Sequence, residues 1–354
     1  MKKLRKTASF TDIHFGRKSN SDVHNTDCVN FIKWFCDQVR KDPEIDSIVF
    51  MGDWHENRNA LNISTLTFSY QGAKLLNDLG LPVYFCIGNH DLYHRHTREL
   101  YSVVPFHEFT NFIVVNEPII VPEMGGGALI SPFLFHDEYP NLVEHLNLQS
   151  WFGHFEFKGF VVTGYTITMP TGPDPVDYSG PDIFSGHFHK RQSNKNIHYI
   201  GNCFPMDFSD AGQIDRGMCV YNHNTRKHYY IDWAECPKYS KFKLSDLLDD
   251  TSKIHADSRV KCIVDVPISY EESAFLRQTF MEDFQLREFS MEESQDLYDA
   301  LTGTEHTLEE DGEEEDGEVK LASVDDLVVQ MINSIDTPHI ENAMLTQIYQ
   351  QLRL

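Results

Sequence analysis

Asp12-Ile13-His14 sets a carboxylate and an imidazole two residues apart, and an extended backbone projects both to the same side. Four further segments have the same character: Gly52-Asp53, Gly88-Asn89-His90-Asp91, Gly153-His154 and Gly186-His187-Phe188-His189. Together they offer Asp12, His14, Asp53, Asn89, His154, His187 and His189 as metal donors, with no cysteine among them. Mixed carboxylate, amide and imidazole donors suit two hard or borderline divalent ions, manganese or iron above all, with magnesium an alternative. Two such ions roughly 3.5–4 Å apart can bind a phosphate oxygen, hold a hydroxide in line with the phosphorus and neutralise the leaving oxygen. One carboxylate must bridge them, and Asp53 is the choice. The cationic charge brings bound water to hydroxide near neutral pH.

Taken singly, each segment has a blander origin. Asp-x-His arises by chance on surfaces, Gly-Asp is a common turn, and Gly-Asn-His-Asp suits an Asx-type turn. His154 alone could be a satisfied core histidine, and His136 and His145 lie nearby. Their joint order, each behind a strand-like run, favours one site.

The elements that must position these residues alternate in the first half. Residues 8–12 read as a strand end, 47–51 and 82–87 as buried apolar strands, and the helices fall near 25–40 and 62–79. In the first helix Phe31, Ile32, Phe35 and Val39 share a face; in the second Leu66, Tyr70, Ala73, Leu76 and Leu79 do. In open α/β sheets such strand ends converge on one crevice. From 112 to 233 the pattern becomes strands joined by turns: 112–121, 128–133, 159–165, 182–186, 197–201, 217–222 and 228–233. Gly125-Gly126-Gly127 lacks phosphate-loop spacing and reads as a turn. The expected fold class is α/β, two stacked mixed β-sheets flanked by helices over 1–240. A small α+β capping domain follows over 255–300, reading strand 260–266, helix 271–283 and strand 286–289.

Residues 302–323 hold nine acidic residues and one lysine, a self-repelling linker. Two short amphipathic helices follow, one with a stripe that begins at the linker's end (Leu321, Val324, Val328, Met331 and Ile335) and one beyond Pro338 (Ile340, Met344, Ile348 and Leu352), and 324–354 is the C-terminal helical segment. Helices this short are marginal alone. They are expected to dock in a partner's groove.

Composition narrows the function. With 54 Asp+Glu against 30 Lys+Arg, a formal −24, the chain does not coat nucleic acid by charge alone. Basic residues nevertheless recur just past the motifs: Arg17 and Lys18, Arg58, Arg95 and Arg98, Lys190 and Arg191. They are the candidates for a local rim on phosphates. Seven scattered cysteines without a CxxC pair suit free thiols in a reducing cytoplasm. No apolar run is long enough to span a membrane and no secretory signal is expected, so the location is cytoplasmic, a host's cytoplasm if phage-encoded.

The series D-x-H, GD, GNHD, H and GHxH over residues 12–189 resembles the calcineurin-like metallophosphoesterase superfamily. More closely, it resembles the DNA double-strand-break-repair nuclease branch: the SbcD type, the meiotic-recombination-eleven type and the nuclease subunit of the tailed-phage recombination endonuclease. The resemblance implies that Asp12, His14, Asp53 and His189 hold one Mn2+, and Asp53, Asn89, His154 and His187 the other. His90 would stabilise the transition state or protonate the leaving oxygen, oriented by Asp91. His55, two residues after Asp53 where the family has a histidine at three, is the candidate for positioning DNA. The implied activity is exonuclease and single-strand endonuclease cleavage of DNA in recombination and repair, with an SMC-like coiled-coil ATPase bound by the C-terminal helices. A homodimer is implied too, with helices near 62–79 and 92–104 as its elements. The alternatives are a protein phosphatase or small-molecule phosphodiesterase of the same superfamily, and a non-catalytic scaffold with that fold.

Overall fold

The structure is a computed structural model that describes residues 3–162 and 167–294. The acidic run 302–323, the helical segment 324–354 and the end of the 255–300 region lie outside the described residues. The chain opens with β1 (Lys6–Phe10), a one-turn segment α1 (Arg17–Asn20), α2 (Asp22–Lys41), β2 (Ile45–Phe50), α3 (Ile63–Asn77), β3 (Val83–Cys86) and β4 (Phe112–Val115). It crosses to a second sheet through β5 (Ile119–Val121), β6 (Ala128–Ser131), β7 (Ser150–Gly153), β8 (Asp182–Ser185), β9 (Gln192–Asn194) and β10 (Ile197–Tyr199). Then β11 (Gly217–Asn222) and β12 (Lys227–Asp232) return to the first.

The first sheet runs β12-β11-β1-β2-β3-β4, with β1 to β4 parallel; the second runs β5-β6-β7-β8-β10-β9, with β6, β7, β8 and β10 parallel. These are two mixed sheets flanked by helices.

Successive residues of β2 explain the layers. Ile48 and Phe50 join Phe10, Phe31 and Phe35 beneath the helices, whereas Val49 and Met51 join Phe152, Phe184 and Tyr221 in a separate core. A strand covered on both faces must be apolar at every position, as this run is. Each fully buried phenylalanine contributes roughly 1.5–3 kcal/mol. Ser21 caps α2 by accepting from the His24 N–H.

Four local expectations are corrected. Leu66 and Tyr70 do not face the core but are 42% and 51% exposed. The buried side of α3 is instead small, Thr65, Ser69, Gly72 and Ala73 with Leu76, so that α2 packs closely against it. The 112–121 run is two strands in different sheets, β4 and β5, divided at Asn116-Glu117-Pro118, since proline cannot donate to a ladder. Residues 92–104 form no helix: an isolated bridge joins Leu92 to Tyr101, and the polar run from His94 to Glu99 has no apolar stripe to bury. Finally, β7 was not expected, while the described part of 159–165 shows only an isolated bridge from Val161 to Thr168.

A third, fully parallel sheet, β13-β14-β15, comprises β13 (Tyr239–Lys243), β14 (Arg259–Val264) and β15 (Glu288–Glu293). With α4 (Leu244–Asp249) and α5 (Tyr270–Asp283) it encloses a core of Val260, Cys262, Phe280 and Phe289. It therefore starts at Tyr239, and β13 has no counterpart in the expected strand–helix–strand pattern. Arg287 ties it to α2 with two 2.8 Å bonds to the Asp27 carboxylate.

Candidate metal centre

β1, β2 and β3 lie parallel, so the loops carrying Asp12 and His14, Asp53, and Asn89 and His90 leave one sheet edge. β7 and β8 deliver His154, His187 and His189 from the facing sheet. The two sets meet directly, since the His187 N–H donates to the Asp12 carboxylate at 3.1 Å. Asp12, His14, Asp53 and His187 all have positive φ (52°, 52°, 62° and 84°), a costly backbone for side-chain-bearing residues and one concentrated at functional sites. Two glycines are required by close approach. A Cβ at Gly88 would fall 2.2 Å from Asp53 N and Oδ1, and one at Gly186 would fall 2.0 Å from Thr11 Oγ1 and 2.8 Å from Asp12 Oδ2.

The seven donors expected from sequence come together in two groups around Asp53. His14 Nε2 lies 3.9 Å from Asp12 Oδ1, 3.8 Å from Asp53 Oδ2 and 3.2 Å from His189 Nε2. On the other side His154 Nε2 is 3.4 Å from the same Asp53 Oδ2 and 2.9 Å from Asn89 Oδ1. His187 Nδ1 is also 2.9 Å from Asn89 Oδ1. The donors fit a pair of divalent cations. Two fully buried carboxylates are ringed by imidazole nitrogens turned toward one another, and one carboxylate oxygen faces both groups.

Charge is correspondingly uneven. Burial raises the Asp12 carboxyl above its ordinary range, and the Asp53 charge adds to this. Burial would raise Asp53 too, but His154, through its charge and its hydrogen bond, holds that carboxyl well below the ordinary range. Burial alone would lower His154; the Asp53 carboxylate outweighs it and carries the imidazole up to about 9. Desolvation, with the nearby charges of His14 and Arg17, pushes His189 well down.

The remaining expected residues divide. His90 stands at the cleft: its N–H donates to Asp53 Oδ1 at 2.8 Å, and its ring Nδ1 faces the Glu56 carbonyl at 3.0 Å. Asp91 does not orient that ring. Its carboxylate accepts from the backbone N–H groups of Gly88, Asp53, Trp54 and His55, locking the Gly-Asp and Gly-Asn-His-Asp turns together. Burial, and next the Asp53 charge, lift Asp91 to about 6.

His55 is turned inward, fully buried, with its two ring nitrogens 2.7 Å from Ser102 Oγ and Ser69 Oγ, so it has no path to DNA. Arg17 is engaged by Glu56 and, at 2.6 Å, by Asp207. Lys18 lies over the Tyr239 ring, 3.8 Å from Glu288, and Arg191 pairs with Asp232 at 2.7 Å. Arg98, on a Glu138 partner, lines a separate polar cavity. Lys190 is half-buried. Arg58 lines a cleft with Tyr93 and Leu100 and has no carboxylate within ion-pair reach among the described residues.

Two residues escaped sequence reading. Glu56 Oε2 lies 2.7 Å from His14 Nδ1, off the line of the ring N–H, and Glu156 Oε2 lies 3.0 Å from His187 Nε2. The only sequence signal was position, three residues after Asp53 and two after His154.

The family profile described as calcineurin-like phosphoesterase matches residues 6–191. Over 230 residues the chain is 24% identical to exonuclease subunit 1 of Enterobacteria phage T4, spanning 64% of this chain and 67% of that protein. A dimetal phosphatase from Danio rerio aligns at 9% identity, over 62% of this chain and 93% of that one, with TM-score 0.34. The Pseudomonas putida nuclease MPE aligns at 13% identity, over 63% and 87%, with TM-score 0.29.

Proposed function

The chain belongs to the calcineurin-like phosphoesterase family, metal-dependent hydrolases, and we propose that its substrate is DNA, cut at phosphodiester bonds with two manganese ions. The observation that carries this reading is the single Asp53 oxygen facing both donor groups beside a half-buried His90. Likeness to a phage exonuclease subunit favours DNA over a phosphoprotein or a small diester.

Asp12, His14, Asp53 and His189 would hold one ion, and Asp53, Asn89, His154 and His187 the other. Bound there, the ions supply Lewis acidity and a hydroxide near neutral pH. The protein's own part is orientation and proton handling. With Nδ1 donating to the Glu56 carbonyl, His90 keeps Nε2 for the substrate, where it can hold a proton and pass it to the leaving oxygen. The strained turns, pinned by Asp91, keep the donors from collapsing onto one another.

The finer reading is an exonuclease and single-strand endonuclease in recombination and repair, working with an SMC-like ATPase held by residues 324–354, in the host's cytoplasm if phage-encoded. Residues 1–240 would form the nuclease domain, 255–300 with β13 a cap, and 302–323 a tether. Exposed Ile63, Leu66 and Tyr70 on α3 support a homodimer through that face. Arg58 is the proposed DNA contact, on a cleft lined also by Tyr93 and Leu100.

The test is purified protein with manganese on linear double-stranded DNA, single-stranded DNA and p-nitrophenyl phosphate mono- and diesters. DNA cleavage is expected, with Arg58→Glu weakening DNA binding and flattening its salt dependence. Turnover of the small esters with intact DNA would reassign the substrate.

A further inference from the structure

Metal-binding imidazoles present either ring nitrogen, and the partner of the other nitrogen decides which one. Here the two donor groups make opposite choices. His187 turns Nδ1 toward Asn89 Oδ1 and His154, while its Nε2 meets Glu156 Oε2 at 3.0 Å. His14 turns Nε2 toward Asp12, Asp53 and His189, while Glu56 Oε2 lies 2.7 Å from its Nδ1 as a charge contact off the line of the ring N–H. Neither carboxylate is a surface accident. The Glu156 backbone N–H donates to Tyr139 Oη at 2.7 Å, and Glu56 is held from behind by Arg17. Both acids are only partly exposed, 17% for Glu156 and 25% for Glu56. His154 offers a contrast, its Nδ1 backed at 2.7 Å by the neutral Met51 carbonyl. Each donor group therefore contains one imidazole with an anionic partner behind it, and the two anions lie on opposite sides of Asp53.

We infer that Glu56 and Glu156 are positioning residues that fix His14 and His187 in opposite tautomers, each carboxylate strengthening one metal position and leaving the other unchanged. A carboxylate behind a ring N–H holds the proton on that nitrogen, raises the basicity of the inward one and fixes the ring plane. It also places four carboxylates, Asp12, Asp53, Glu56 and Glu156, around sites for two dications. The inference rests on the two-ion reading of the site and not on what the substrate is.

Two measurements test it on the full chain. In metal-free protein at mildly alkaline pH, ring-nitrogen NMR should show His14 protonated at Nδ1 and His187 at Nε2. Manganese titrated into the wild type and the Glu56→Gln and Glu156→Gln variants should then resolve two affinities. Each variant is expected to lose about 10–100-fold at one position only, a different one in each case. Equal loss at both positions, loss at the same position in both variants, or no loss would overturn the inference, as would His187 protonated at Nδ1. Thermal unfolding of the metal-free variants, expected to match the wild type, separates misfolding from lost positioning. Failure to cut DNA with these affinities intact would defeat the proposed substrate and leave this assignment standing.

Discussion

His90 and Asp91 are neighbours in sequence with opposite fates. The imidazole reaches the cleft, while the carboxylate is fully buried and consumed by four backbone N–H groups. That the seven candidate donor side chains converge was legible from motifs placed behind apolar strands, but not for the reason of an extended i, i+2 backbone, since Asp12, His14 and His187 turn off their strands at positive φ. What lies behind the donors was not legible, because Glu56 and Glu156 matter only through the fold that brings His14 and His187 against them. The same limit misplaced His55, whose ring is satisfied by two serines from distant segments. At this scale the sharpest expectation concerns the proposed acid. His90→Ala should lower the DNA cleavage rate by about 10²–10⁴-fold while manganese affinity persists. Undiminished cleavage would take the proton from another source.

At the scale of elements, strands that end in a motif were readable from apolar runs, and α2 from its aromatic stripe. Less was readable where the buried face is small or the run is short. The inner face of α3 is Thr65, Ser69, Gly72 and Ala73, and β7 has only four residues before His154. Packing also traps titratable groups, His55 against Ser69 of α3 among them. Burial drives His55 down to about 3, and likewise carries His223, against Thr7 Oγ1, down to about 4. Unfolded histidine takes up a proton near pH 6.5, whereas these folded ones stay neutral well below it. Between those values the unfolded state binds more protons, so stability present above pH 6.5 is lost as pH falls toward 4 and below. The melting temperature of metal-free protein should decline below pH 6.5 through these two rings, and His154, held up to about 9 by Asp53, should make it fall again as pH rises from 6.5 toward 9. His55→Asn, neutral throughout, should make that decline shallower; an unchanged slope would mean that the buried ring is not a source of it.

For the whole molecule, the net −24 sits on a chain whose proposed substrate is itself a polyanion. Several basic residues near the centre are internally paired: Arg17 with Glu56 and Asp207, Arg191 with Asp232. Recognition of DNA by this chain alone should therefore be weak, and a partner that supplies positive surface is the natural complement. The amphipathic stripes of 324–354 are the proposed handle. Removing 324–354 is expected to abolish co-purification with a coiled-coil ATPase while leaving the binding of two manganese ions intact; retained co-purification would move the contact elsewhere.

Everything proposed for the chemistry depends on two cations flanking one aspartate. Diffraction at the manganese edge from crystals grown with manganese locates the ions by their own anomalous scattering. Two anomalous peaks are expected, one among Asp12, His14 and His189, the other among Asn89, His154 and His187, with Asp53 between them. A single peak, or peaks remote from Asp53, would contradict the two-ion centre.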